Sequence, residues 1–437
     1  MQNIIYRTNI QGNGFLKPRS QFVITLAASL LLSLLLRLPI GGEAFTGSPA
    51  GDSDSYLDLS RADTVRVSIL GNENPGVLRI NAVDDMIRFR TASGDSALLG
   101  PGDGFAFLYL QHGKVMFRKG DRVLESPTLS FSNSVGLTQV FVQGFGNRLY
   151  HGDFEILFDE RQNRHLIINR VPLEDYVASV IGGEMNFREL EALKTQAVVS
   201  RTYALWSIHR SPYAQFDLSD DEQNQVYVGA LPVRPDYAEA ATATSGEILT
   251  WSNRLILAAF SSTCGGATSH NEDVWSGDPL PYLRSTGDGG ACSVSPHYRW
   301  RLQVHESELS ELISSRYGYR FSDMELDYDT AGRVRSVVFT NGTGRRLLFE
   351  GNEFRTILNR HSDTIRLRST RFRIERDNGT ITFTGNGLGH GVGLCQWGAK
   401  GFAEAGWSYR DILSFYFTGT KIVDLNTIES KQIALSG

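Results

Sequence analysis

The stretch VPLEDYVASVIGGEMNFRELEALKTQAVVSRTYALW, residues 171–206, constrains this chain more than any other. Val177, Val180 and Ile181 follow the i, i+3, i+4 spacing of one helix face. Pro172 suits a first helical position, and Glu174 and Asp175 suit the positive end of a helix dipole. A second stripe of Leu190, Leu193, Ala197, Ala204 and Ile208 predicts another helix. Val198, Val199 and Trp206 make that helix apolar on more than one side, as for a helix buried between other elements. Gly182 and Gly183 stand between the two, and each glycine costs a helix about 1 kcal/mol relative to alanine. The sequence therefore predicts a break there, with Glu184 at the joint. Its neighbours Ile181, Met185 and Phe187 are apolar, and apolar surroundings raise a carboxyl pKa toward the range of a general acid. A position just before the second helix acts in the opposite sense, because a helix N-terminus favours the anion. The plainer role for the same residue is to cap that helix.

Size and composition bound the rest. A chain of 437 residues exceeds one compact core, so two domains or one large domain with additions are expected. Charged residues are 21% and apolar ones 41%, as in ordinary globular proteins, and the net charge of −5 argues against a nucleic-acid partner. Near the N-terminus Arg7, Lys17 and Arg19 precede an apolar run from Phe22 to Leu36, followed by small residues at Gly42 and Ala44. That is the shape of an export signal, either cleaved or retained as a membrane anchor, and it places the protein in the periplasm or at the cell surface. In an exported chain two of the three cysteines can pair. Cys264 and Cys292 flank a loop and are the favoured pair, with Cys395 left over. Three cysteines make no tetrahedral zinc set on their own, and no CxxC occurs.

Residues 45–60 are small and polar, a linker after the signal of residues 1–44. From Val65 to about Ile168 apolar and polar residues alternate between Gly, Asn and Asp punctuation, which predicts a β-rich region. Beyond the helix pair, the pattern predicts a loop region over 209–240 with a short strand at Gln225–Val228, and a hairpin around Ser252-Asn253. A strand over Tyr298–Val304, a helix over Glu306–Tyr317 and a β-set turning at Asn341-Gly342 come next. Strand-like residues 370–385 and a helical segment 399–417 complete the reading. Asn341-Gly-Thr and Asn378-Gly-Thr read as turns, and Asp220-Asp221-Glu222 as a solvated loop rather than a cation site.

The helix pair, together with FSSTCGGATSHNEDVW, SPHYRW and GHGVGLCQWGAKGFAEAGWSYRDILSFYFTGTKI, resembles the SpoIID/LytB family of sporulation stage II protein D lytic transglycosylases and amidase enhancers. The resemblance runs from about residue 150 to about 424. It implies an α+β fold: a β-rich N-terminal region over 61–149, a core over 150–424 with a long buried helix and mixed sheets lining a cleft, and a tail over 425–437. It implies peptidoglycan glycan strands as substrate, cleaved between N-acetylmuramic acid and N-acetylglucosamine with a 1,6-anhydro product, and Glu184 as the catalytic acid. An ordinary glycosidase needs two carboxylates; a lytic transglycosylase uses one twice, first protonating the glycosidic oxygen and then accepting the proton of the sugar's 6-hydroxyl.

Around Glu184 the candidate substrate-binding residues are Gln196, Arg201 and Tyr203 on the second helix, Ser261 and Ser262 before Gly265-Gly266, and His390, Gln396 and Trp397. Amides, hydroxyls and imidazole suit sugar polar groups, and indole suits a sugar face; Gln196 and Arg201 equally suit a core hydrogen-bond network, and Trp397 equally suits packing. Some family members bind metal through cysteine and histidine in the loop after the long helix, but Ser219 and Asn224 stand at the positions where cysteines are sought here. No metal and no cofactor are expected. A thiol at Cys395 near His390 admits a weaker Cys–His hydrolase reading. The enhancer branch supplies the rival from another class, a strand-binding module that stimulates a separate cell-wall amidase.

Overall fold

The computed structural model describes residues 62–427, apart from 72, 134–135, 212, 222–223, 231–233 and 276, together with 433–435. The export segment 1–44 and the linker 45–60 lie outside the described residues.

The alternation read between Val65 and Ile168 becomes two packed sheets. One contains, in spatial order, β13 (Leu218–Ser219), β1 (Thr64–Ile69), β12 (Arg164–Pro172), β11 (Asp153–Asp159), β8 (Thr128–Ser132), β3 (Ile87–Thr91) and β4 (Ser96–Leu99). The other runs β10 (Gly146–Tyr150), β9 (Thr138–Val142), β2 (Val77–Ala82), β5 (Ala106–Gln111), β6 (Lys114–Lys119) and β7 (Arg122–Ser126). Strict inward alternation puts Phe89 of β3 against Phe117 of β6 across the sandwich, ring centroids 4.6 Å apart. β1 pairs along its whole length with β12, from Thr64↔Pro172 to Ile69↔Ile167. The β-rich region therefore shares one hydrophobic core with the helices C-terminal to it, and that core extends from Ala62 to Ile433.

β12 runs straight into α1 (Leu173–Glu184), with Pro172 as its N-cap. The expected Gly-Gly break is absent: Gly182 and Gly183 stay helical, and α1 ends on Glu184 itself. α2 (Leu190–Arg210) buries 15 of its 21 residues, which is why its sequence lacks a clean polar face. It packs on α1, on α3 (Pro235–Ala243) and on β14 (Glu247–Trp251). α3 was expected to be loop; Pro235 at its first turn is the local sign of a helix start. The strand expected at Gln225–Val228 is instead irregular backbone.

The hairpin at Ser252-Asn253 joins β14 to β15 (Arg254–Leu255), both turn residues having positive φ as its type requires. Ala434 pairs with Arg254, so the C-terminal residues described add an edge to this sheet. β16 (Phe260–Ser261) pairs in parallel with β23 (Leu394–Cys395), uniting segments some 130 residues apart. Between them, after the single turn α4 (Asn271–Val274), lies a module with its own core, built on Trp300, Phe339, Phe354 and Phe383. It contains β17 (Arg299–His305), α5 (Glu306–Tyr317), β18 (Asp323–Tyr328), β19 (Val334–Thr340), β20 (Arg346–Glu350), α6 (Gly351–His361), β21 (Phe372–Asp377) and β22 (Thr380–Asn386). The helical segment expected over 399–417 is two helices, α7 (Gln396–Glu404) and α8 (Tyr409–Tyr416), separated at Gly406 with φ +88°. Asn378-Gly379, both at positive φ, close the β21–β22 hairpin.

Candidate active site

Glu184 sits half-buried at the C-terminal end of α1, not before the N-terminus of α2, which starts six residues later. The nearer helix terminus thus presents its negative end to the carboxylate, the reverse of the sequence expectation. Glu184 Oε1 accepts a hydrogen bond from the Val226 backbone N–H at 2.9 Å, and Oε2 one from Gln396 Nε2 at 3.4 Å. Gly183 explains how Val226 comes so close: a Cβ there would lie 2.3 Å from the Val226 carbonyl oxygen. The glycine serves an approach of two backbones, not a helix break.

Glu184 lines a small pocket with Phe260, Ser261, Ser262, Gly389, His390 and Gln396. No second carboxylate lines it among the described residues. Gln396 also donates toward Gln196 Oε1 at 3.4 Å, and Gln196 donates to Ser200 Oγ at 2.9 Å, so a buried amide chain backs the carboxylate. Ser261 Oγ accepts from the Gly391 N–H at 3.2 Å, and the Ser262 hydroxyl lies 3.4 Å from Thr263 Oγ1.

His390 lies in the pocket wall with both ring nitrogens engaged. Nε2 is 2.7 Å from the Phe260 carbonyl, and Nδ1 accepts from the Val392 N–H at 3.1 Å. Burial first, and then the Arg355 and Arg333 guanidiniums, push its pKa down to about 3, against the Phe260 hydrogen bond. A neutral imidazole with both nitrogens occupied offers no free donor to a sugar and no base to Cys395. In this conformation it holds the wall.

Three other candidates fall outside the pocket. Arg201 is a correction: five residues beyond Gln196, it is rotated about 140° around α2 and points into the core. There its fully buried guanidinium pairs with Glu174 and donates to the carbonyls of Glu247 and Ala241, tying together α1, α2, α3 and β14. Tyr203, on the Gln196 face, lines an adjacent wider cleft with Trp206, Arg210, Asp220 and Asn224. Burial raises its hydroxyl pKa, against hydrogen bonds with Asn224 and Ser207. Trp397 is half-buried and packs edge-on against Phe187, centroids 4.8 Å apart, beside the pocket and not in it.

The loop after α2 also departs from expectation. Asp220 is no solvated loop residue: its carboxylate accepts from the Leu70 N–H at 3.2 Å and from Arg148, and burial lifts its pKa to about 6. Glu222 lies outside the described residues. Ser219 Oγ donates to Asn224 Oδ1 at 2.9 Å, so the two positions where the resemblance seeks metal-binding cysteines hold each other directly.

The favoured cysteine pair, Cys264 and Cys292, is adjacent but unbonded, with Sγ atoms 3.6 Å apart. Cys395 joins them, accepting from the Cys264 N–H at 3.1 Å, and so does Asp288. Sequence reading missed Asp288, although Asp288-Gly289-Gly290 just before Cys292 is a turn signal that places its carboxylate locally. It also missed the Val226 backbone donor, which no side-chain pattern marks.

A family profile described as "Stage II sporulation protein" matches residues 161–251, which contain α1, α2 and Glu184. A domain of unknown function, DUF8618, matches residues 289–393, close to the inserted module. The chain is 32% identical to the stage II sporulation protein D of Bacillus amyloliquefaciens over 290 residues, covering 63% of this chain and 80% of that one. It is 30% identical to an uncharacterized protein of Brachyspira hyodysenteriae, over 64% of this chain and 74% of the relative. Similarity to the amidase enhancer of Bacillus subtilis is 27% over 53% of this chain and 38% of that protein. A profile that spans α1, α2 and Glu184, and a relative 32% identical and matched over 80% of its length, show that the chain belongs to the SpoIID/LytB family.

Proposed function

We propose that this protein is an exported peptidoglycan lytic transglycosylase in which Glu184 acts as acid and then as base. The observation that carries the reading is a single half-buried carboxylate, held by Val226 and Gln396, in a pocket that no second carboxylate lines among the described residues. A hydrolase needs a second carboxylate to activate water or attack the sugar. One group suffices when the nucleophile is the substrate's own 6-hydroxyl. Protonated Glu184 gives its proton to the oxygen between N-acetylmuramic acid and N-acetylglucosamine as that bond breaks. The resulting carboxylate then takes the proton of the muramyl 6-hydroxyl as its oxygen closes the 1,6-anhydro ring. Proton count is restored, and no water is consumed. Gln396, backed by Gln196 and Ser200, orients the carboxylate, while Ser261 and Ser262 offer hydroxyls to the sugar.

The test is digestion of purified glycan strands by the wild-type protein and Glu184→Gln, with products read by mass spectrometry. Anhydro-muramyl ends from wild type, lost in the variant, are expected; equal cleavage by both overturns the assignment. A second reading, a strand-binding enhancer of a cell-wall amidase, is favoured by the similarity to the amidase enhancer and by a pocket whose polar groups already satisfy one another. It predicts intact strands that retain the protein, and stimulation of an added amidase by wild type and Glu184→Gln alike.

A further inference from the structure

We propose that Cys264, Cys292, Cys395 and Asp288 form a zinc site of three sulfurs and one oxygen beneath the Glu184 pocket. The four side chains come from three stretches: the loop after β16, the turn at 288–292, and the residue that caps α7. Their ligand atoms all lie within 4.8 Å of one another, and all four residues are buried. Zinc binds thiolate at about 2.3 Å and carboxylate at about 2.0 Å in a tetrahedron, which places sulfur about 3.8 Å from sulfur and about 3.5 Å from oxygen. The Cys264–Cys292 separation is 3.6 Å, and Cys264 Sγ is 3.3 Å from Asp288 Oδ2. These two separations match tetrahedral edges, and no ligand atom lies more than 4.8 Å from another, so the four atoms can close on a cation as the vertices of a tetrahedron. A soft, sulfur-rich, four-ligand set selects zinc over magnesium or calcium.

The surroundings fit an anionic centre. Asp288 is oriented by the N–H groups of Gly290 at 3.0 Å and Cys292 at 3.1 Å; Cys395 Sγ accepts from the N–H groups of Cys264 at 3.1 Å and Gly398 at 3.3 Å. Arg333, 1% exposed, reaches in from β19's edge of the inserted module and donates Nη2 to the Cys264 carbonyl at 2.7 Å. Its Nε and Nη1 are buried without a hydrogen-bond partner. Three thiolates and a carboxylate around one divalent cation leave the centre negative, and a buried guanidinium beside it is then balanced. On binding, the thiol protons pass to solvent. Full burial leaves no open coordination position, so the ion is structural. It would fix Ser262, two residues before Cys264, and Gln396, next to Cys395, in the pocket wall. The site is separate from the Ser219–Asn224 loop, and it stands whether the protein cleaves strands or only binds them.

Metal analysis of the full chain, purified with a thiol reductant and no chelator, tests this. About one zinc per chain is expected. Cobalt replacement should give a thiolate-to-cobalt charge-transfer band, and Cys292→Ser should lose at least nine-tenths of the metal. Should Cys292→Ser not fold, the same question is put to the wild type: chelator removes the zinc, thermal stability falls, and added zinc restores it at one equivalent. Wild-type protein that holds no metal and takes up neither zinc nor cobalt overturns the proposal. So does a Cys264–Cys292 disulfide, two hydrogens lighter by mass, in metal-free protein isolated from its native compartment.

Discussion

Gly183→Ala tests the link between backbone packing and the carboxylate. The added methyl would lie 2.3 Å from the Val226 carbonyl oxygen and 3.1 Å from Val226 Cγ1. A carbon and a carbonyl oxygen need roughly 3.3 Å, so the Val226 segment must retreat by about 1 Å. Its N–H, now 2.9 Å from Glu184 Oε1, then moves beyond hydrogen-bond range. Overpacking costs about 1–3 kcal/mol and a lost hydrogen bond to a charged group about 1.5–3 kcal/mol, offset by about 1 kcal/mol from alanine's better helix propensity. The expected result is a stability loss of roughly 1.5–5 kcal/mol by denaturant unfolding. A carboxylate displaced by about 1 Å should also lower strand cleavage by on the order of 10²-fold. Released anhydro-muramyl ends per minute, measured on folded protein, give that second number. A variant at least as stable as wild type and equally active would refute the reasoning, because propensity alone would then account for the site.

Other outcomes follow from the same geometry. Gln396→Leu, which removes the amide between Glu184 and Gln196, should lower kcat about 10-fold or more with a smaller change in KM; steady-state kinetics on strands of defined length separates the two. Arg201→Ala should cost about 1–3 kcal/mol of stability, because it takes a buried donor from the Glu247 and Ala241 carbonyls while the partly exposed Glu174 keeps the Gly246 N–H and water; the protein that remains folded should bind strands with unchanged affinity in pull-down. His390 stays neutral when folded, with its pKa near 3 against 6.5 in the unfolded chain. The unfolded state therefore binds the extra proton between those values. The His390 contribution is complete above pH 6.5 and is lost as pH falls toward 3, up to about 5 kcal/mol at 1.4 kcal/mol per unit. Unfolding curves across that window should show the decline, shallower in His390→Asn; equal slopes in the two proteins would contradict it.

What the sequence disclosed and what it hid divide along the range of the forces involved. α5 was legible to the residue, and the strands of the sandwich were legible as alternation, because both patterns repeat locally. The long α2 was recognisable as buried for the same reason. Gly182-Gly183 misled because helix propensity is a weak local term, and packing against the Val226 backbone overrides it. β16 and β23, two residues each, are too short to carry a period, yet their pairing brings Ser261 beside Cys395. Arg201 and Trp397 looked like ligand residues because side-chain chemistry alone does not say which side of a helix meets the core. The inserted module went unseen since apolar residues do not declare which of two cores they join.

The module's connectivity makes it separable in the chain. Arg299 and Asn386, where the chain enters and leaves it, face each other as β17–β22 partners, so a short turn could replace everything between them. Such adjacent ends make a segment transferable between scaffolds without tearing either one. Arg333 limits that freedom, because its guanidinium has crossed into the host and bonds the carbonyl of Cys264. Excision of the module at that seam would also remove a buried positive charge from beside the three cysteines.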